Sequence, residues 1–227
     1  MTQAELFNQL DQSERYQAVR GKIEQLISKH PSRIIIAIAG LPGSGKSTLA
    51  DYLADRINQQ QQGLVASVSM DGFHYSKEQL NNFPDPKAAL ARRGAPWTFD
   101  SKEFCTRLAK FKQHPEQTLY WPSFDHAHGD PVENDIAIPA SIKVLIVEGL
   151  YVLHQQHGFE NAQIWLDESW FIDLNIQDAL KQLAKRHQQA WGFSEKQAWQ
   201  RIEQNDALNA QIADQSKTFA NHIIKVR

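Results

Sequence analysis

Residues 40–47 read Gly-Leu-Pro-Gly-Ser-Gly-Lys-Ser and match the pattern G-x-x-x-x-G-K-[ST]. Glycines let successive backbone N–H groups turn inward around phosphate oxygens, and the N-terminus of a following helix adds positive charge. In this pattern the lysine reaches the β- and γ-phosphates, and the hydroxyl that follows binds Mg²⁺. The segment therefore predicts a nucleotide site with these contacts: Gly40, Leu41, Pro42, Gly43, Ser44, Gly45, Lys46, Ser47 and Thr48.

Two carboxylates follow apolar runs that read as strands. Asp71 comes directly after "LVASVSM", and Glu148 ends "IKVLIVE". Ligands of open α/β sheets bind at the carboxyl ends of the strands, so both side chains are expected to point toward the phosphates. Glu148 suits a metal anchor together with Ser47, and Asp71 suits the hydroxyl that accepts a phosphoryl group. The alternative for each is a strand-end cap or a solvated carboxylate.

Residues 123–130, "SFDHAHGD", contain the spacing H-x-H-x-D, which could hold zinc. Zinc hydrolases with this spacing carry a further histidine where Pro131 stands, and a zinc site needs three or four ligands. The alternative that we favour is a polar loop in which Asp125 and His126 face an acceptor while His128, Gly129 and Asp130 shape the turn.

Five short apolar runs indicate the strands that must position these residues. Helical patterns lie between most of them, and this alternation predicts a parallel α/β sheet. The runs cover residues 34–39, 64–70, 142–149, 170–174 and 222–226. In the helix after the glycine-rich loop, Leu49, Leu53 and Ile57 are expected to form the buried face.

The segment between the second and third runs has little periodicity and is rich in Pro, Trp and His. We expect a domain at residues 31–227 that follows an N-terminal helical extension, residues 1–30, which packs against it. Within this domain, residues 72–140 are predicted to bind an acceptor. There "TLYW" and "NDIAI" could pair as a hairpin.

The bulk composition narrows the class of partner. The chain has 227 residues, a net charge of -2 and one cysteine, Cys105. No surface for nucleic acid is implied, we expect the polar N-terminus to carry no signal peptide, and no apolar run reaches membrane-spanning length. We expect a cytoplasmic protein that takes a small-molecule acceptor and binds neither nucleic acid nor membranes, as a monomer or homodimer.

The nucleotide loop alone leaves several classes of protein open. A GTP switch requires [NT]-K-x-D, and a transporter ATPase requires an L-S-G-G-Q-like signature; neither occurs. A small-molecule kinase that uses ATP and Mg²⁺ remains the first hypothesis. The alternative is a regulatory ATPase without a small-molecule acceptor.

The segments "GLPGSGKST", "SMDGFH", "RRGAPWTFD", "WPSFDHAHGDPVENDI", "LIVEGLYVL" and "RIEQNDALNA" occur in this order. Together they resemble the phosphoribulokinase/uridine kinase/pantothenate kinase family, and within it the pantothenate-kinase-like branch of sugar or nucleoside kinases. The resemblance implies a P-loop NTPase three-layer sandwich with a five-stranded parallel sheet, an acceptor-binding hairpin insertion and a helical lid at residues 176–193. The acceptor stays open: a sugar, a sugar acid, a nucleoside or a pantothenate-like compound.

The same resemblance implies roles for individual residues. Asp71 would be the catalytic base, Glu148 would help hold Mg²⁺, and Arg186 in the lid would neutralise the transferring phosphate. Lys181 and Lys185 are weaker lid candidates, with solvated lysines as the alternative. Asn205 and Asn209 fall where the family approaches the adenine, with helix caps as the alternative. The residues expected to contact the acceptor are Asp71, His74, Arg92, Arg93, Asp125 and His126.

Overall fold

The computed structural model describes residues 2–125 and 129–226. Its strands are β1 (Ile34–Gly40), β2 (Val65–Ser69), β3 (Leu119–Phe124), β4 (Pro131–Ile138), β5 (Val144–Glu148), β6 (Glu168–Asp173) and β7 (His222–Lys225). Its α-helices are α1 (Gln3–Leu10), α2 (Glu14–Lys29), α3 (Lys46–Gln60), α4 (Lys77–Asn81), α5 (Pro86–Ala91), α6 (Ser101–Gln113), α7 (Ile176–Trp191), α8 (Glu195–Arg201) and α9 (Ala207–Gln215). A π-helical turn, Ile202–Asp206, joins α8 to α9.

The central sheet has the strand order β2-β5-β1-β6-β7, and every neighbouring pair is parallel. The predicted five-stranded parallel sheet is therefore confirmed. The observed strands start or end within two residues of the predicted ones. Met70, for example, was expected in β2 but begins a 3₁₀ turn, because the Ser69 side chain accepts a hydrogen bond from the Asp71 backbone and ends the strand.

Strand β1 is buried on both faces, as its unbroken apolar run predicts. Ile35, Ala37 and Ala39 pack into one apolar core with α6, α7 and α9. The alternate residues of β1, Ile34, Ile36 and Ile38, pack into a second core with α3 and the N-terminal helices. In this second core, Leu49, Leu53 and Ile57 of α3 are buried as expected. The nucleotide loop therefore leaves the sheet from its central strand, which is buried on both faces.

The N-terminal extension packs against this second core through the buried side chains Phe7 and Ile23. It consists of two helices, α1 and α2, where the sequence suggested one helical stretch. Between them, the Asp11 carboxylate accepts hydrogen bonds from the Tyr52 hydroxyl at 2.8 Å and from Arg56 Nε at 2.8 Å. These bonds tie the extension to α3, the helix that begins in the nucleotide loop.

Residues 72–140 contain three helices, α4 to α6, and the antiparallel hairpin β3–β4. The hairpin pairs Leu119 with Ile138 and Trp121 with Ile136, as the sequence suggested. Helices α4 and α5 are too short, at 5 and 6 residues, for an apolar period to show in the sequence. Across the described residues, no helix is long and apolar enough to span a membrane.

Candidate active site

The glycine-rich loop connects β1 to α3, as its sequence requires. Gly43 and Gly45 have φ values of 78° and 88°, a left-handed conformation that side chains other than glycine rarely adopt. Lys46 is the first residue of α3, and its Nζ donates to the carbonyl of Leu41 at 2.9 Å, inside the loop. Burial lowers the pKa of the Lys46 ammonium, and nearby Glu148 and then Asp71 partly offset this effect.

The predicted metal ligands lie together beside this loop. The Ser47 hydroxyl donates to Glu148 Oε1 at 3.0 Å, because β5 lies next to β1 and ends at the level of the loop. Burial raises the pKa of Glu148, and the ammonium of Lys46 offsets part of the effect. A hydroxyl and one carboxylate, supplemented by phosphate oxygens and water, are ligands that suit Mg²⁺. The pair therefore fits the metal that a P-loop kinase uses.

Asp71 lies at the end of β2, in the 3₁₀ turn Met70–Phe73. The turn packs closely on the hairpin: a Cβ placed on Gly72 would lie 2.1 Å from the carbonyl oxygen of Pro122. The Asp71 carboxylate is near enough to the nucleotide loop for its negative charge to raise the pKa of Lys46. The carboxylate predicted as a base is thus held between the phosphate site and the hairpin.

His74 closes the same turn. Its Nδ1 lies 2.7 Å from the backbone carbonyl oxygen of Asp71. The imidazole ring stacks on Phe124 of β3, with ring centroids 4.5 Å apart, and lies 3.9 Å from the ring of Phe99. These contacts hold His74, a predicted contact of the acceptor, next to Asp71.

Two cavities meet at Asp71. One, of about 240 Å³, lies between the nucleotide loop, the hairpin and helices α7 to α9, and its lining includes Pro42, Asp71, His74, Arg93 and Arg186. The other, of about 290 Å³, lies between β2, β5 and the hairpin, and its lining includes Ser47, Asp71, Pro122 and Glu148. We call the first the α-helical cavity. Asp71 therefore borders both the predicted metal ligands, Ser47 and Glu148, and the arginine of the predicted lid, Arg186.

Helix α7, the predicted lid, packs directly on the nucleotide loop. A Cβ on Gly43 would lie 2.7 Å from the carbonyl oxygen of Ala179, so only glycine fits here without movement of the helix. Its apolar side chains Leu180 and Leu183 are buried, while Ile176 is partly buried. Arg186 is exposed on this helix and lowers the pKa of Lys46, which places its charge near the loop. Lys181 and Lys185 are exposed; Lys181 Nζ lies 3.9 Å from an oxygen of Asp178.

Arg93 connects the acceptor segment to the hairpin turn. Its guanidinium donates to Asp130 Oδ1 at 2.7 Å, to the carbonyl of Tyr75 at 2.9 Å and to the carbonyl of Gly129. Asp130 Oδ1 also accepts from the backbone N–H of Lys77 at 2.8 Å. Arg93 thus lines the α-helical cavity and also fixes the hairpin residues Gly129 and Asp130 beside it.

Arg92 is placed differently. Its Nη2 donates to Asn209 Oδ1 at 3.0 Å, its guanidinium lies over the ring of Trp97, and it is not among the residues lining the α-helical cavity. Asn205 Nδ2 donates to the carbonyl of Arg93 at 2.8 Å. Asn205 and Asn209 therefore hold the Arg92–Arg93 loop, and neither caps a helix.

Residues 126–128, which include the predicted His126 and His128, lie outside the described residues. Asp125 is exposed next to Phe124, and its carbonyl accepts from the Gly129 backbone at 2.8 Å. Within residues 2–125 and 129–226, no three His, Cys, Asp or Glu side chains are grouped as a metal site would require. The acceptor role of His126 stays a prediction.

The structure adds residues to this site that sequence reasoning missed. His187 of α7 is buried, its Nε2 lies 2.9 Å from Asp206 Oδ2, and its ring stacks on Trp191 at 4.4 Å. All three line the α-helical cavity, together with Arg201 from the end of α8. In the sequence these residues look like the polar face of solvated helices. No sequence signal marked them; in the structure, Asp206 lies in a π-helical turn, a feature often found at functional sites.

A parallel sheet with a phosphate-binding loop after its central strand β1, and with the neighbouring strand β5 ending in Glu148, is the arrangement of a P-loop NTPase. The chain belongs to the phosphoribulokinase/uridine kinase family, whose model matches residues 35–224. This family implies a kinase that uses ATP and usually Mg²⁺. The predicted family and fold class are thereby confirmed.

Individual relatives are similar over most of the chain. A candidate uridine kinase of Schizosaccharomyces pombe is 38% identical over 199 residues, which cover 87% of this chain and 85% of that protein. The crystal structure of a candidate fructose transport system kinase from Silicibacter sp. TM1040 has a TM-score of 0.81 and 29% identity, with 93% and 98% of the two chains covered. D-glycerate 3-kinase from Cryptococcus neoformans shares the fold alone, with a TM-score of 0.69, 15% identity, and 90% and 88% coverage.

Proposed function

We propose that this protein transfers the γ-phosphoryl group of ATP to a hydroxyl of a small metabolite: a sugar, a sugar acid, a nucleoside or a pantothenate-like compound. The observation that carries the proposal is the position of Asp71, which borders both the Ser47–Glu148 pair and the α-helical cavity. A base for the acceptor must reach the transferred phosphate and the acceptor at once. Of the two cavities, the α-helical cavity is the one we assign to the acceptor.

The roles of the residues follow from their positions. Lys46 binds the β- and γ-phosphates, and Arg186 stabilises the charge on the group in transit. The acceptor oxygen loses its proton to the Asp71 carboxylate and forms a bond to the γ-phosphorus, while the bond from that phosphorus to the β–γ bridging oxygen breaks and ADP leaves. Mg²⁺, held by Ser47 and Glu148, would supply charge neutralisation on the phosphates.

The proposal includes the roles predicted from the sequence for the acceptor segment and for the lid. Residues 72–140 form the acceptor segment, supported by His74 and Arg93 in the cavity wall. Residues 176–193 form the lid, supported by the close packing of Ala179 on Gly43 and by the position of Arg186. His126, Asp125 and Arg92 remain proposed acceptor contacts.

The experiment is a coupled ADP-release assay with sugars, sugar acids, nucleosides and pantothenate. We expect at least one class to stimulate ADP release, and Asp71→Asn to abolish this stimulation while ATP binding persists. The matched control is Asp214→Asn, which changes an exposed carboxylate of α9 and should leave turnover unchanged. ATP hydrolysis that no acceptor stimulates would favour the regulatory ATPase instead. Near-normal turnover of Asp71→Asn would contradict the base assignment.

A further inference from the structure

Arg201 brings a positive charge into the α-helical cavity. It is the last residue of α8, it is partly buried, and its side chain lines the cavity. Among the residues that the structure describes, no hydrogen bond or ion pair engages its guanidinium. A guanidinium in a cleft presents five donors in a planar fork that matches a carboxylate or a phosphate.

Three other basic side chains of this cavity, Arg93, Arg186 and His187, already have a partner or a role. Arg93 forms its ion pair with Asp130, and His187 contacts Asp206 at 2.9 Å. Arg186 acts on Lys46, and its charge therefore belongs to the phosphate end of the cavity. Within the described part of the chain, Arg201 is thus a guanidinium of this cavity that has neither a hydrogen-bond or ion-pair partner nor an assigned role.

The wall around Arg201 suits a compact polar molecule. Arg201, Asp206 and Asn209 come from α8, the π-helical turn and α9, whereas Asp71 comes from the end of β2. The cavity volume of about 240 Å³ is small. Pockets for drug-sized ligands span roughly 300–1,000 Å³. A molecule that contacts both Asp71 and Arg201 would therefore carry a hydroxyl for the carboxylate and an anionic group for the guanidinium, and it would have to fit this small cavity.

We propose that the acceptor is a small anionic hydroxy compound, whose carboxylate or phosphate group is bound by Arg201 while its hydroxyl meets Asp71. This inference rests on the proposed kinase function and narrows its acceptor to anionic compounds. It makes Arg201 the residue that selects the acceptor, a role that the sequence did not suggest.

The test uses the full chain with Mg-ATP and acceptors in matched pairs. Glycerate and glycerol 3-phosphate are each compared with glycerol, and gluconate is compared with glucose. We expect kcat/KM for one anionic class, carboxylate or phosphate, to exceed that of its neutral partner about tenfold or more, the effect of a hydrogen bond to a charged group. Arg201→Gln should remove this preference by raising KM for the anionic acceptor, with KM for ATP unchanged. Arg201→Lys should retain part of the preference, and Arg15→Gln, in an exposed arginine of α2, should retain all of it.

The possible results separate this inference from the kinase function itself. Equal or better turnover of the neutral partners, or an unchanged preference in Arg201→Gln, would overturn the inference and leave the kinase function standing. If no acceptor of any class is phosphorylated, the kinase function fails. In that case, calorimetric titration with glycerate and with glycerol 3-phosphate, in the presence of a non-hydrolysable ATP analogue, tests whether Arg201 binds an anion. Binding that Arg201→Gln abolishes would support the site, and the absence of binding by both anions would refute it.

Discussion

Replacing Gly43 by alanine should separate the nucleotide loop from helix α7. The new Cβ would lie 2.7 Å from the carbonyl oxygen of Ala179 and 3.1 Å from the backbone nitrogen of Leu183. Both atoms belong to the backbone, so no side-chain rotation can relieve the contact. The closer distance is about 0.7 Å short of the 3.4 Å at which ordinary contact begins, so α7 must shift by several tenths of an ångström.

This substitution has two costs that can be separated. Gly43 has a φ of 78°, and an alanine in that conformation costs roughly 1–2 kcal/mol of stability by itself. Gly63 has a φ of 70° but nothing within 4 Å of the position that a Cβ would take, so Gly63→Ala carries the backbone cost alone. A displacement of about 1 Å at a reacting group can cost roughly 100-fold in rate. We therefore expect kcat/KM to fall by about 10- to 100-fold in Gly43→Ala and to stay near the wild-type value in Gly63→Ala.

The assay combines urea unfolding with steady-state kinetics on both variants, at saturating acceptor and varied ATP. If Gly43→Ala loses only the stability that Gly63→Ala loses and keeps its kcat/KM for ATP, the packing of α7 on the loop has no role in catalysis. That result would also remove the structural support for assigning residues 176–193 as the lid. Reduced activity in both variants to the same degree would point to instability rather than to the position of α7.

Three further predictions concern charge and protonation. Glu148→Gln keeps an oxygen that can accept from Ser47 but removes the charge, so the Mg²⁺ concentration for half-maximal turnover should rise about tenfold or more. The control Glu203→Gln, at an exposed residue, should leave this concentration unchanged. An unchanged Mg²⁺ titration of Glu148→Gln would contradict the ligand assignment. Burial, followed by the hydrogen bond to Asp11, raises the pKa of the Tyr52 hydroxyl to about 12. Its contribution to the stability of the fold is therefore complete below its unfolded pKa, near 10, and is lost as the pH rises toward 12. Between about pH 9 and about pH 11, the free energy of unfolding in urea should fall more steeply for wild type than for Tyr52→Phe, and equal slopes would refute the assignment. Burial also raises the pKa of the Cys105 thiol to about 11. Iodoacetamide at about pH 8 should therefore alkylate Cys105 much more slowly than it alkylates free cysteine. A rate equal to that of free cysteine would show that the thiol is not shielded.

The sheet and the nucleotide site could be predicted because their signals are local. Each strand of the parallel sheet is a short apolar run, and the loop residues 40–47 are contiguous in the chain. The positions of Asp71 and Glu148 follow from one further rule, that the carboxyl ends of parallel strands share an edge. The end of β2 was missed by one residue because the Ser69 side chain, rather than apolar periodicity, terminates that strand.

The walls of the α-helical cavity could not be predicted in the same way. Asn205 and the backbone carbonyl of Arg93 are 112 positions apart, and Arg93 and Asp130 are 37 apart. An arginine, an asparagine or a histidine on a helix is most often a solvated or capping residue, so its type alone says little about its partner. Only the packing of α7 to α9 against the acceptor segment shows that His187, Asp206 and Arg201 face one space.

These long-range bonds form one connected set, and this bears on how the cavity works. The hairpin turn is bonded to Arg93 through Asp130, the Arg93 carbonyl is bonded to Asn205, and Asn209 is bonded to Arg92. Asn205 and Asn209 flank Asp206, which contacts His187 of α7. A shift of α7 at the nucleotide loop would therefore move the same helices that carry Arg201. Because each link is a hydrogen bond between partly or fully buried groups, it is costly to break singly, and the cavity walls are expected to move together. If Arg201 binds the acceptor as proposed, these bonds give a route by which acceptor binding would affect the position of Arg186.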